Sequence, residues 1–420
     1  MTTLFLNDGY PLSKLEDEHP GIYRILESNY PGSTLNRDRL RFCGIVCEAG
    51  SDPVVFLPYG IVISRFAAPD YNAGRLLMRS VARYGKDNPS RAGHSLSDVD
   101  YKGTMFIAVV NELANDFIRN GLYSRRLRKR QVQTGKPDWP RTIKRQTPFF
   151  SDKGVPIYPV IETNGFQEAN INILASIQAD TIVDIASRHG WWTGLGASQT
   201  RFLKNIPKLV RDRKLYPAAI RDFMNFLYDD NSLRLARLLR TYWSNYSATG
   251  SGSFVCGISD FSTLWEQMLK NLVDDRSGEW NSKLPSPVYK IHNLDDKAPK
   301  DRGRMDIVIE ATDNIIVADA KYYRALSADS APGISDLLKQ SYYAKSVSDL
   351  APQKPIRSCF VFPSEKGSGP IEYGSFASTL HDQKVAWLED THCLYVNTRE
   401  VMQSYVSRSK LDWFLQLYKK

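Results

Sequence analysis

Asp306, Asp319 and Lys321 stand within the mostly apolar run "MDIVIEATDNIIVADAKYY", residues 305–323. Charged groups in a half-buried sheet are costly unless they are paired or put to use. Thr312-Asp313-Asn314 reads as a turn between two β-rich stretches, and Asp-Asn tolerates the positive φ that tight hairpins demand. With Asp313-Asn314 as the two-residue loop, Asp306 falls opposite Lys321. Asp319 lies two residues from Lys321 and shares its face, while Ile307, Ile309, Ile316 and Ala320 cover the other. Two carboxylates and an amine on one face suit a hard divalent cation that keeps exchangeable waters. Such a cation polarises a phosphate and lowers the pKa of bound water; a nearby lysine orients or deprotonates that water, or offsets phosphate charge. The same residues could equally form a cross-strand ion pair with no chemistry, and their spacing leaves both readings open.

The neighbouring elements decide what can join them. Glu266 in "LWEQML" lies on a helix that turns Leu264, Trp265, Met268 and Leu269 inward, so its carboxylate is either a third acid or a surface group. In "DLLKQSYYAK", Gln340 and Tyr343 share a helical face, with Asp336 one turn earlier. "SCFVFP" reads as a buried strand ending at Pro363. Helix, hairpin, helix and strand in this order make an α/β module over residues 251–420. Ahead of it, residues 1–150 read as a mixed, β-rich N-terminal domain. "RLRFCGIVCEAG" and "PVVFLPYGIVIS" supply strands, and "DYNAGRLLMRSVARYGKD" and "GTMFIAVVNELANDFIRNG" supply helices. Residues 151–250 carry helical periodicity, and "SATGSGSF" (Ser247–Phe254) marks the boundary.

With 420 residues the chain is long for one core, and 42% hydrophobic with 11% aromatic residues excludes general disorder. Cys43, Cys47, Cys256, Cys359 and Cys393 are scattered, with no CxxC and no histidine cluster to complete a zinc site, which points to reduced thiols. The N-terminal residues lack a secretory pattern and no apolar run is long enough to span a bilayer, so a soluble, cytoplasmic protein with no membrane partner is expected. There is no HExxH, GxSxG or strand-led GxGxxG. Trp191-Trp192 could stack a base but reads better as core packing at a helix end. The net charge of +9 is concentrated: Gly121–Arg145 holds nine Lys/Arg against one Asp. Arg125, Arg126, Arg128, Lys129, Arg130, Arg141, Lys144 and Arg145, interleaved with Tyr123 and Trp139, are candidates for phosphate contacts and stacking; a solvated face is the alternative. Pro137, Pro140 and Pro148 are expected to break regular structure there.

On these motifs, residues 255–400 resemble the PD-(D/E)xK nuclease superfamily. Asp306 takes the place of the first acid and Asp319-Ala320-Lys321 that of D-x-K; Met305 stands where proline is usual. More narrowly, "LWE", "RMDIVI", "VADAKYY", "DLLKQSYYA" and "CFVFP" resemble the nuclease subunit of McrBC-type restriction systems and the related LlaJI-type restriction proteins. "FCGIV", "VVFLPYG" and "TGKPDWPRTIKR" extend the likeness over most of the chain. The resemblance implies a restriction-endonuclease-like C-terminal core with Glu266, Asp306, Asp319 and Lys321 as catalytic residues and Gln340 in support. It implies Mg²⁺ held by Asp306, Asp319 and Glu266, with Mn²⁺ able to substitute. Asp319, where many relatives have Glu, shortens the reach to the metal. It further implies double-stranded DNA as substrate and a McrB-like AAA+ GTPase as partner, into which the N-terminal part docks. Gly85-Lys86 and Gly135-Lys136 lack the upstream Gly and following Ser/Thr of a Walker A loop, so nucleotide hydrolysis falls to the partner. The expected function is thus a motor-activated DNA endonuclease subunit of a phage-defence restriction system. The alternatives are a self-sufficient type II-like restriction or repair endonuclease, and a non-catalytic DNA-binding or scaffold protein.

Overall fold

The structure, a computed structural model, describes residues 3–30, 38–48, 51–63, 70–88, 98–133, 136–169, 172–248, 254–285, 303–325, 327–366, 371–376, 379–380, 383–384 and 390–411. The architecture is mixed α/β. The chain forms two compact units, residues 1–108 with 249–420, and residues 109–248.

The first unit carries the two largest sheets. One is four-stranded, in the order Leu4–Asn7, Val54–Leu57, Cys43–Cys47, Phe254–Ile258. "VVFL" is buried throughout and "CGIVC" nearly so, as strands covered on both faces must be. The helices Leu12–Glu18 and Pro20–Asn29 add Leu15, Ile22 and Leu26 to a core that includes Phe42, Val46, Val54 and Phe56. The last strand comes from beyond residue 250, and two glycines let it close on the sheet. Gly44 pairs with Gly257. A Cβ on Gly44 would lie 2.4 Å from the Cys256 carbonyl oxygen, and one on Gly257 2.4 Å from that of Cys43. No larger residue permits that approach. Of the boundary stretch Ser247–Phe254, residues 249–253 lie outside the described residues.

The other main sheet of this unit has five strands in the order Ile307–Glu310, Ile315–Ala320, Ile356–Ser364, Thr391–Asn397, Ile371–Phe376. Ile315–Ala320 and Ile356–Ser364 run parallel, which demands a crossover, and the helix Ile334–Leu350 supplies it. That helix sets Tyr343 and Val347 on Val308, Ile315 and Val317. The helix Phe261–Leu272 begins where the Asp260 carboxylate accepts the Ser262 N–H, and it buries Leu264, Trp265, Met268 and Leu269 as its periodicity requires. Each such side chain stabilises the fold by about 1.5–3 kcal/mol.

In the second unit the basic run is regular, contrary to expectation. Arg125–Val132 is a strand antiparallel to Glu162–Ala169, and Lys136–Pro137 pairs on the other side of Glu162–Ala169. Pro137 thus sits on an edge strand, and Pro140 in the first turn of the helix Trp139–Arg145, where a missing N–H is harmless. The helices Ile173–Thr193, Tyr216–Met224 and Asp230–Ala248 account for the helical periodicity. Asp180 and Asp184 are buried on the first of them. Arg213 bonds both, at 2.8 and 3.3 Å, and the Tyr216 and Tyr242 hydroxyls donate to them at 3.1 and 2.6 Å. Trp192 is buried against His189 in this core. Among the described residues no helix is long and apolar enough to cross a membrane.

Candidate active site

The site is built on the hairpin of the five-stranded sheet. Its turn is closed by the Ala311 N–H donating to the Asn314 carbonyl at 2.9 Å, and Ile307 pairs with Ala318. The central turn residues are therefore Thr312-Asp313, which are exposed, while Asn314 is buried. This corrects the register expected from Asp313-Asn314: one residue beyond Ile307, Asp306 lies opposite Asp319, not Lys321. Because the slip is two residues, facing is preserved. Asp306, Asp319 and Lys321 share one face, and Ile307, Ile309 and Ile316 are buried on the other.

The helix Ile334–Leu350 covers the charged face. The Lys321 ammonium lies 2.9 Å from Asp319 Oδ2 and 2.7 Å from Asp336 Oδ1, which enters from the first turn of that helix. Lys339 stands 3.8 Å from Asp319 Oδ1. This second cation lay unnoticed in "DLLKQSYYAK", although its spacing from Asp336 signals a shared face. Asp306 Oδ2 accepts the Ala320 N–H at 3.0 Å. The approach to Asp306 is fixed by Asn281, which bonds both backbone groups of Met305, and by the Tyr343 hydroxyl, which accepts the Arg304 N–H at 2.7 Å. Gln340 does not reach the acids. It is buried and donates from Nε2 to the Val317 carbonyl at 2.8 Å and to that of Cys359 at 3.4 Å, so it fastens two parallel strands under the site.

Burial pushes the Asp306 carboxyl up to about 7, helped by the negative charges of Asp319 and Glu266. Burial works to lower the Lys321 pKa, but Asp319 and Asp336 outweigh it and hold the ammonium above its usual range. Glu266 is partly exposed; its carboxylate pairs with Lys270 one turn on and lies 3.9 Å from Arg304.

Whether these groups fit a metal follows from their donors. Asp306 and Asp319 offer hard oxygens on one sheet face, and the buried Asp319 Oδ2 faces the Lys321 ammonium at 2.9 Å and, among the described residues, takes no hydrogen bond in good geometry. That acid pair fits a hard divalent cation. Among the described residues no three His, Cys, Asp or Glu side chains stand together as a metal-holding group, so Glu266 would have to leave Lys270 to complete the set.

The basic candidates belong to residues 109–248. Arg125, Arg126, Arg128, Lys129 and Arg130 lie along the strand Arg125–Val132. Arg141 is bound by the buried Glu162, whereas Lys144 and Arg145 are exposed.

Among known proteins, the type II restriction enzyme BsuMI component YdjA of Bacillus subtilis (strain 168) is 23% identical over 400 residues, spanning 87% of this chain and 84% of that relative. A cryo-EM structure of the Thermococcus gammatolerans McrBC complex aligns with 66% of this chain and 90% of its own, at 12% identity and a TM-score of 0.27. The LlaJI restriction endonuclease family matches residues 42–375, most of the sequence, and the chain belongs to that family.

Proposed function

We propose that this chain is the Mg²⁺-dependent DNA endonuclease subunit of a restriction system, with a PD-(D/E)xK site made of Asp306, Asp319, Lys321 and Glu266. The observation that carries the reading is the convergence of two carboxylates and an ammonium on one sheet face in a restriction endonuclease chain. Asp306 and Asp319 would hold the cation, and Glu266 would join on release from Lys270. When bound, Mg²⁺ supplies Lewis acidity toward phosphate oxygens and a water of lowered pKa. The chain's own residues supply position. Lys321, held by Asp319 and Asp336, places its ammonium beside the scissile phosphate, where it offsets charge and orients the attacking water. Gln340 keeps the Val317 and Cys359 backbones in register beneath the acids.

A second component is part of the reading. The Bacillus subtilis relative is named as a component of a restriction enzyme, and the chain has no Walker A loop, so a McrB-like AAA+ GTPase is proposed as the motor. Lys144, Arg145 and the basic strand Arg125–Val132 are proposed to contact the DNA backbone. The test is plasmid cleavage by wild type and Asp319→Ala, in Mg²⁺ or EDTA, with and without the neighbouring gene's product and GTP or ATP. Mg²⁺-dependent cutting that needs partner and nucleotide and is lost in the variant is expected. Cutting without them would make the nuclease self-sufficient, and no Asp319-dependent cutting under any condition would leave the hairpin an ion pair.

A further inference from the structure

The residue after Lys321 is gripped by the opposite end of the sequence. The sheet ladder continues to Lys321, whose N–H donates to the Val361 carbonyl at 3.0 Å; beyond it Tyr322 leaves the strand. Its hydroxyl accepts the Tyr59 N–H at 3.0 Å, with the Cys43 thiol 3.6 Å away, and it lies beside the Asp8 carboxylate, whose charged form it helps to hold. Asp8 is only 5% exposed, and its Oδ1 accepts the N–H groups of Gly9 and Phe42 at 3.0 and 3.1 Å. The Tyr322 ring packs on Tyr59, Phe261 and Trp265, with centroids 5.3, 5.1 and 6.4 Å apart.

We propose that Asp8 and Tyr322 are positioning residues of the nuclease: a buried carboxylate–hydroxyl clamp that fixes the chain beyond Asp319-Ala320-Lys321 and so aims the Lys321 ammonium at the acids. The reasoning is geometric. Tyr322 is covalently next to Lys321, so fixing its ring among three aromatics and its hydroxyl on the Tyr59 N–H fixes the backbone from which the Lys321 side chain departs. Packing alone would be served by an apolar pair, which avoids the burial that pushes the Asp8 carboxyl up to about 7. The clamp also makes the strand Leu4–Asn7, directly before Asp8, part of the catalytic unit rather than of a detachable arm.

This inference rests on the nuclease reading, and the experiment separates the two. Tyr322→Phe removes one oxygen and keeps the ring packing; Asp8→Asn keeps an acceptor for Gly9 and Phe42 but changes the group that meets the tyrosine hydroxyl. Leu26→Ala, in the N-terminal core, serves as a variant that weakens the fold without touching the clamp. Plasmid cutting kinetics and Tm are measured for each in the assay in which wild type cuts and Asp319→Ala does not. Tyr322→Phe is expected to lower kcat tenfold or more with KM nearly unchanged and a Tm loss smaller than that of Leu26→Ala. Asp8→Asn is expected to do the same, and the double variant to be no worse than the worse single, because both act through one bond. Leu26→Ala is expected to lower Tm and keep kcat at permissive temperature. Should Asp8→Asn fail to fold, Tyr322→Phe alone decides. Full kcat in Tyr322→Phe, additive losses, or an equal kcat loss in Leu26→Ala would each overturn the clamp and leave the nuclease reading standing. Cutting indifferent to Asp319→Ala would overturn both.

Discussion

Asp306→Asn is predicted to stabilise the metal-free protein in a strongly pH-dependent way. The fold raises the Asp306 carboxyl from 3.8 to about 7, chiefly by burial, then through Asp319 and Glu266; Lys339 opposes the rise. A raised carboxyl contributes stability that is whole below its unfolded value near pH 4 and is lost as the pH rises through 7. Three pKa units at ~1.4 kcal/mol each set a ceiling of about 4 kcal/mol of stability surrendered at pH 8. At pH 5, about one unit above the unfolded value, the loss is only ~1.5 kcal/mol. Asparagine mimics the neutral acid and still accepts the Ala320 N–H, so the variant escapes the loss. Urea unfolding in EDTA, followed by tryptophan fluorescence, should show the variant's advantage growing by up to ~2.5 kcal/mol between pH 5 and pH 8. Mg²⁺ should then stabilise wild type at pH 8 and not the variant, since a ligand that binds only the folded state adds RT ln(1 + [L]/Kd). A variant advantage that is constant from pH 4 to pH 8 would refute the reasoning, because it would mean that Asp306 ionises in the fold as freely as in water.

Three further outcomes are expected. Gln340→Ala removes two buried hydrogen bonds across the strands and leaves a cavity, and should cost about 1–3 kcal/mol in urea unfolding, with cutting retained where the protein remains folded. Asp336→Ala removes one of the two carboxylates that hold Lys321 and should lower kcat about tenfold, equivalent to ~1.4 kcal/mol, with DNA affinity unchanged in a gel-shift assay. Lys144→Ala with Arg145→Ala should weaken DNA binding alike across sequences and reduce the slope of log K against log[salt] by about 2, read by fluorescence anisotropy.

Local pattern carried much of the site. The alternation around Asp306 and Asp319, the buried stripe beside Glu266 and the 336/340/343 helical face are short-range periodicities, and the structure places each on the expected element. The hairpin register escaped because Asp313-Asn314 and Thr312-Asp313 are both acceptable turn pairs, and only the burial of Asn314 separates them. The basic strand escaped because "RRLRKRQV" has no apolar alternation; its partner Glu162–Ala169, paired at separations of 30 to 44 residues, makes it a strand. Asp8 was invisible for the same reason at greater range. Nothing in "LFLNDGY" announces that its aspartate meets a tyrosine hydroxyl from the last hundred residues. The Gly44–Gly257 pairing is likewise a relation between distant positions, and neither glycine signals it alone.

That pairing has a consequence for how the protein is made. The Cys43–Cys47 strand leaves the ribosome long before Phe254–Ile258, and Cys43 precedes Tyr322 by 279 residues. At about 5–20 residues per second of synthesis, the interval is roughly a quarter of a minute to a minute. For most of it, until Phe254–Ile258 is made, the nascent chain displays an unpaired apolar edge, the kind of surface that invites aggregation or a chaperone. On the proposed reading the site also stays unassembled during much of translation, because Asp8 and Tyr322 can meet only after Tyr322 has been made.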